Sequence, residues 1–82
     1  MARQLRVELT FLDSIQQVAG RSTMWLEVPV PGTVARLLAL LCERQPQFAG
    51  VQMQVLVNGA PSKPQQELRA GDGVFLLPMT AG

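Results

Sequence analysis

Apolar and polar residues alternate with a period of two in three stretches of the chain. The stretches cover residues 5–11, 24–30 and 53–57, and each has valine, leucine, methionine or phenylalanine at every second position. Such alternation is typical of a strand with one buried and one solvated face. Residues 74–79 form a fourth stretch, which is apolar at nearly every position. The pattern therefore predicts at least four strands.

One long helix is predicted between the second and third strands. Apolar residues recur there at helical spacing, and Thr33 stands where an N-cap residue is expected. Pro46 disfavours helical geometry at the residue before it and so predicts the end of the helix. A short helical stretch is also predicted over residues 15–19, closed by Gly20, and a single helical turn at Glu67 and Leu68. The apolar face of the long helix is formed by Val34, Leu37, Leu38 and Leu41.

The order of these elements predicts the fold. A tight turn at Asn58 and Gly59 leads into a short return strand over residues 60–63, and the final strand follows a turn at residues 71–73. One long helix can cover only one face of a sheet. We therefore predict an α+β fold of the β-grasp, ubiquitin-like type, with a mixed sheet of four to five strands packed on one main helix. A ferredoxin-like layout needs a second full helix, which the proline-rich segment after Asn58 does not offer.

Composition limits the chemistry that the chain can perform. The 82 residues carry a net charge of +1, a single cysteine and no histidine. This predicts a single domain over residues 1–82 without acid-base groups, a metal site or a polybasic nucleic-acid surface of its own. No apolar run approaches the length of a membrane span and no targeting signal is visible, so a cytoplasmic protein is expected. Cys42 borders the apolar face of the predicted helix and is expected to pack in the core.

The end of the chain carries the strongest functional signal. The final strand runs through Leu77 and Pro78 into three small residues, Thr80, Ala81 and Gly82. Upstream, the sequence has Val-Ala-Gly at residues 18–20, Val-Asn-Gly at 57–59, and Leu68 before Ala-Gly-Asp at 70–72. In this order and spacing the chain resembles the ubiquitin-like sulfur carriers, most closely the small subunits of molybdopterin synthase. The resemblance spans nearly the whole sequence.

This resemblance implies a carrier whose terminal glycine carboxylate, on Gly82, is the reactive group. An E1-like enzyme would adenylate the carboxylate with ATP and Mg, and a sulfurtransferase or persulfide donor would supply sulfur to form a thiocarboxylate. The implied partners are that enzyme, that donor and the large subunit of molybdopterin synthase, for which this chain would be the small, sulfur-donating subunit. No cofactor is expected on this chain. Carriers for thiamine, transfer-RNA thiolation or a secondary metabolite remain alternatives, as does a β-grasp interaction module that carries no sulfur.

The tail departs from the family at one position. Members of the family usually end in Gly-Gly, whereas Ala81 precedes Gly82 here. Either a final glycine is missing, so that the carboxylate lies about 3.5 Å too far back, or alanine is a true substitution that slows activation. A flexible tail over residues 79–82, with small side chains at Thr80 and Ala81, suits insertion into a narrow channel.

The last strand also predicts a docking surface. Val74 and Leu76 lie on one of its faces and Phe75 and Leu77 on the other, and the pattern does not decide which pair is exposed. Similarity to the family favours Leu77 as a partner contact, and Phe75 follows by parity. Leu12, Pro78 and Met79 are the remaining candidates for this surface.

Overall fold

The computed structural model describes residues 3–79, which form one five-stranded sheet with a long helix on one face. The strands are β1 (Gln4–Phe11), β2 (Thr23–Pro29), β3 (Met53–Val57), β4 (Ala60–Pro61) and β5 (Gly73–Pro78). The helices are α1 (Ser14–Ala19) and α2 (Val34–Arg44), and a 3-10 turn covers Pro46–Phe48. The predicted β-grasp fold is confirmed.

The first and last strands are neighbours at the centre of the sheet. Across the sheet the order is β2-β1-β5-β3-β4. β1 and β5 are parallel neighbours, with Leu9 opposite Val74 and Phe11 opposite Leu76. The pairs β1–β2, β5–β3 and β3–β4 are antiparallel. Residues 74–76 of β5 are paired on both sides, by β1 and by β3, and Leu77 and Pro78 are paired with β3.

The helix α2 forms where the sequence predicts it. The Thr33 side chain accepts a hydrogen bond from the backbone N–H of Arg36 (3.2 Å), which caps the first turn. At the other end the N–H of Gln45 still donates to the carbonyl of Leu41 (2.7 Å), and Pro46 then starts the 3-10 turn. Leu37 and Leu41 are fully buried against the sheet.

The core lies between α2 and the sheet. The inward side chains of all four long strands contribute to it, together with α1, α2 and the 3-10 turn. Phe11 and Phe48 stack there with ring centroids 5.6 Å apart. No polar or charged side chain is buried within the described residues. The fully buried members are Val7, Leu9, Phe11, Ile15, Leu26, Val28, Leu37, Leu41, Phe48, Val74 and Leu76.

Three local predictions were wrong in detail. Glu67 and Leu68 do not form a helical turn: Glu67 pairs as an isolated bridge with Thr33, and the N–H of Leu68 donates to the carbonyl of Gly32 (2.7 Å). The return strand covers only Ala60–Pro61 and is shorter than residues 60–63, because at the next position the Ser62 hydroxyl, rather than its backbone, bonds to the carbonyl of Val55 (2.9 Å). The last strand begins at Gly73 and ends at Pro78, one residue earlier at each end than residues 74–79.

Candidate docking face and the base of the tail

The two faces of β5 have different environments. Val74 and Leu76 point towards α2 and are 0% exposed, whereas Phe75 and Leu77 lie on the opposite face and are only partly buried. The sequence left this choice open because all four side chains are apolar. The structure assigns Phe75 and Leu77 to the face that no helix covers.

Neighbouring strands extend the apolar surface around Phe75. The register places Phe75 between Thr10 of β1 and Leu56 of β3, so the three side chains project from the same face. The N–H of Leu12 donates to the carbonyl of Leu76 (2.9 Å), which puts Leu12 beside the end of β5 with 37% of its surface exposed. We call this surface the docking face, defined as Leu12, Leu56, Phe75 and Leu77.

Leu56 was missed in the sequence. It lies between Val55 and Val57, so that part of β3 is apolar on both faces and gives no polar marker of orientation. Strand parity was the available signal: Val57 is buried in the core, so its neighbour Leu56 must point to the other side. The register then sets Leu56 directly opposite Phe75.

The ring of Phe75 lies beside Gly73. A Cβ atom on Gly73 would lie 3.9 Å from Cε2 of Phe75, on the same face of β5. The ring therefore lies along the strand towards its start rather than standing away from the sheet.

The other half of the open face is polar. Trp25 of β2 is 50% exposed, and the guanidinium of Arg6 lies 4.7 Å from the centre of its ring. Glu8 of β1 pairs with Trp25 of β2 on one side and with Gly73 of β5 on the other. The outward side chains of β1 therefore lie between Trp25 and Phe75. The open face thus has an apolar half on β5 and β3 and a charged half on β1 and β2.

Pro78 and Met79, the last described residues, follow Leu77 at the end of β5. Pro78 pairs with Met53 of β3 and is partly buried, and Met79 follows with 59% of its surface exposed. Met79 does not lie beside Leu77: it lines a groove on the helix side of β3, with Leu38 of α2 and Met53. Gly82, Ala81 and Thr80, the predicted reactive end, lie outside the described residues.

The model of the ThiS family matches residues 9–82 of the sequence. The chain belongs to the ThiS family. No curated protein matches it significantly. The fold itself recurs in a molybdopterin converting factor subunit 1 from Pyrococcus furiosus, with 22% identity and a TM-score of 0.87, covering 93% of this chain and 99% of that one.

Two further structures share the fold of this ThiS-family chain. The small archaeal modifier protein 1 of Haloferax volcanii is 24% identical with a TM-score of 0.84, covering 93% of this chain and 99% of that one. In the second, a complex of subunits 1 and 2 of molybdopterin-converting factor from Helicobacter pylori, the similar chain is 21% identical with a TM-score of 0.68. The match covers 95% of this chain and 99% of that one.

The internal motifs of the ThiS-family chain have a structural role in this fold. Asn58 donates from Nδ2 to Oδ1 of Asp72 (3.0 Å) and accepts at Oδ1 from the N–H of Gly73 (3.0 Å). Oδ2 of Asp72 accepts from the N–H of Arg69 (2.8 Å). These bonds join the turn after β3 to the turn before β5, and so fix where β5 begins.

The described part of this ThiS-family chain offers few groups for chemistry. Cys42 packs against the core with part of its surface exposed in the groove beside Met79. Residues 3–79 contain no cluster of three or more histidine, cysteine, aspartate or glutamate side chains placed to hold a metal ion. None of the helices within that range is long and apolar enough to cross a membrane.

Proposed function

We propose that this ThiS-family protein is a sulfur carrier whose reactive group is the carboxylate of Gly82. The observation that carries the proposal is the position of β5. It lies at the centre of the sheet, borders a partly exposed apolar face, and ends at Pro78, just before the residues that carry the resemblance of the tail. A partner that binds the docking face is thereby brought next to the start of the tail.

The proposed chemistry takes place on the tail and uses groups of other proteins. The Gly82 carboxylate attacks the α-phosphate of ATP, pyrophosphate leaves, and an acyl-adenylate forms. A persulfide sulfur attacks the acyl carbon and AMP leaves, which gives an acyl disulfide. A thiol then cleaves the sulfur–sulfur bond, leaving the thiocarboxylate on this chain and a disulfide on the donor side. ATP and Mg belong to the activating enzyme in this scheme.

The body of the protein contributes binding and position. Four central apolar side chains of the docking face lose contact with water when a partner covers them, which favours association. The backbone of β5 cannot move freely, because β1 and β3 hold it on both sides. A partner docked on this face therefore meets the end of β5 in a defined position. This reduces the entropy that is lost when the reacting groups are aligned.

Synthesis of molybdopterin is the proposed destination of the sulfur. The resemblance of the sequence to small subunits of molybdopterin synthase supports it, and so does the fold shared with subunit 1 in the Helicobacter pylori complex with subunit 2. By analogy, the large partner of this chain would be the equivalent of that subunit 2. An E1-like adenylating enzyme and a sulfurtransferase complete the proposed set of partners, and the proposed location is the cytoplasm.

A second candidate is conjugation or delivery of sulfur in another pathway. It is favoured by one observation, the fold shared with a small archaeal modifier protein at a similar identity. Both candidates require the same adenylated terminus. In conjugation, the group to be modified attacks the activated acyl carbon directly. In delivery of sulfur to another pathway, the same thiocarboxylate forms and only the final acceptor of the sulfur differs.

The test is the intact mass of the protein after incubation with an E1-like enzyme, ATP, a persulfide donor and a thiol. We expect a mass gain that equals replacement of one oxygen by sulfur, and no gain without ATP. Deletion of residues 80–82 is the matched control, which should abolish the gain while circular dichroism stays unchanged. An unmodified mass in the full chain, together with tight binding to the large subunit, would instead identify an interaction module.

A further inference from the structure

The strand β3 has an open edge for part of its length. In the register of β3 with β5, Asn58 and Gly73 form a hydrogen-bonded pair. Because hydrogen-bonded residues alternate along an antiparallel strand, the N–H and C=O groups of Met53, Val55 and Val57 point away from β5. Val57 pairs with Ala60 of β4, but the β3–β4 ladder stops at Leu56 and Pro61. Met53 and Val55 therefore face outwards beyond the end of β4.

Among residues 3–79, the backbone groups of Met53 and Val55 on this edge have one hydrogen-bond partner. Ser62 donates its hydroxyl to the carbonyl of Val55 (2.9 Å), which ends the β4 pairing with a side chain. Within residues 3–79 no backbone hydrogen bond outside the ladders involves the N–H or C=O of Met53 or the N–H of Val55. Two donors and one acceptor are thus in line at the spacing of a strand.

An apolar groove adjoins this edge on the helix side of the sheet. It consists of two neighbouring hollows of about 260 and 360 Å³ between α2 and β3, which share Leu38, Met53 and Met79. No charged side chain lines either hollow among the described residues. Its main apolar walls are Leu38, Cys42, Val51, Met53, Pro61 and Met79.

The other edge of the sheet, β2, is different. The N–H of Phe11 donates to the carbonyl of Ser22, and the N–H of Val30 donates to the carbonyl of Arg3. In this register, the backbone groups of Thr23, Trp25 and Glu27 point away from β1. Glu27 and Pro29 are typical of protected edges, because charge and the absence of an N–H oppose pairing. Met53, Gln54 and Val55 carry no such protection.

We propose that the open edge of β3 and its groove bind an extended, uncharged peptide segment of a second protein by strand addition. The peptide would donate to the carbonyl of Met53 and accept from the N–H groups of Met53 and Val55, while alternate aliphatic side chains enter the groove. Groove walls without charge favour an uncharged peptide, since a buried charge would have no counter-ion there. This binding site lies on the opposite side of the sheet from the docking face.

A second copy of this chain fits the edge poorly. In each copy, β4 lies beside Leu56 and Val57 of its own β3, on the same edge that would have to pair. If two β3 strands paired antiparallel, β4 of the second copy would therefore meet the backbone of the first at residues 51–52. A single extended peptide has no such hairpin. The occupant is therefore expected to be a narrow segment rather than another sheet.

The test is an NMR titration of the full ¹⁵N-labelled chain with a capped peptide of alternating threonine and valine. Two matched peptides are N-methylated at every second residue, one at the valines and one at the threonines. Strand addition predicts chemical-shift changes of the Met53 and Val55 amides that saturate as peptide is added. One methylated peptide should bind roughly tenfold more weakly or not at all, and the other should keep the affinity of the unmethylated peptide. Equal binding of both methylated peptides, no saturation, or shifts at Thr23, Trp25 and Glu27 would overturn the proposal.

Variants of the groove make the test specific. Leu38→Lys should weaken the peptide roughly tenfold by placing a charge in the apolar wall, whereas Ala39→Lys on the exposed side of α2 should not. Met79→Lys replaces Leu38→Lys if that variant loses its dispersed spectrum. Line broadening of Met53 and Val55 that grows with protein concentration would show a second copy on the edge. Shifts at these amides on deletion of residues 80–82 would show the chain's own tail there, and either result would overturn the proposal.

Discussion

The two faces of β5 carry side chains of the same chemical kind for different purposes. Val74 and Leu76 are buried between the sheet and α2. Phe75 and Leu77, which alternate with them along the strand, are partly exposed to solvent. The inner pair stabilises the fold by removing apolar surface from water. The outer pair could be polar without loss to the core, so its apolar character supports the proposed contact with another protein. Within one strand, core packing and the proposed recognition thus use alternate positions.

The largest expected effect is on the inner face. Leu76→Ala should lower the free energy of unfolding by about 2–5 kcal/mol, because it leaves a cavity in a core that cannot fully collapse. Urea denaturation followed by circular dichroism measures the change. A loss below about 1 kcal/mol would mean that Leu76 is not the core residue that its burial indicates.

The matching change on the outer face should leave the fold intact and impair binding. Leu77→Glu should shift the free energy of unfolding by less than about 1 kcal/mol. It should weaken binding to the large subunit or the E1-like enzyme about thirtyfold, because it places an unpaired charge in an apolar contact. Calorimetry of the two proteins measures the binding.

Thr23→Glu is the matched control for Leu77→Glu. It adds the same charge to the same open face, but on β2 at the edge of the sheet and away from the tail. Binding should be nearly unchanged. If both variants bind weakly to the same degree, the contact depends on overall charge and the docking face is not its centre.

The smallest effect is expected from the polar half of the open face. Trp25→Ala removes the contact with Arg6, which is worth about 0.5–1 kcal/mol, and exposes no core residue. Partner binding should change by less than about threefold if Trp25 lies outside the centre of the contact. A loss as large as that of Leu77→Glu would extend the docking face across β1 to β2.

Local periodicity was enough to predict most of the fold. The alternation in β1, the spacing in α2 and the turn at Asn58 each reflect a single physical preference, and together they left few architectures. The Glu67–Leu68 segment was wrong because its conformation depends on a bridge to Thr33, more than thirty residues away in the sequence. Such a contact exists only after the chain has folded.

The candidate site was less predictable for similar reasons. Leu76 and Leu77 differ in burial but not in chemical type, so only the packing of α2 distinguishes them. Leu56 was hidden by its apolar neighbours Val55 and Val57. The open edge of β3 depends on where β4 stops, and the only sequence signal for that was Pro61. Resemblance to a family, rather than any local pattern, pointed to the tail.

The central claim is that sulfur is carried on the last residue of the chain. Top-down fragmentation mass spectrometry of the protein after ATP-dependent loading tests it most directly, because it locates the sulfur along the sequence. We expect every fragment that contains Gly82 to carry sulfur in place of oxygen, and fragments that end before it to be unmodified. Cys42→Ser should load as well as the unsubstituted protein. Sulfur found as an added atom on fragments that contain Cys42, with an unmodified C-terminus, would contradict it.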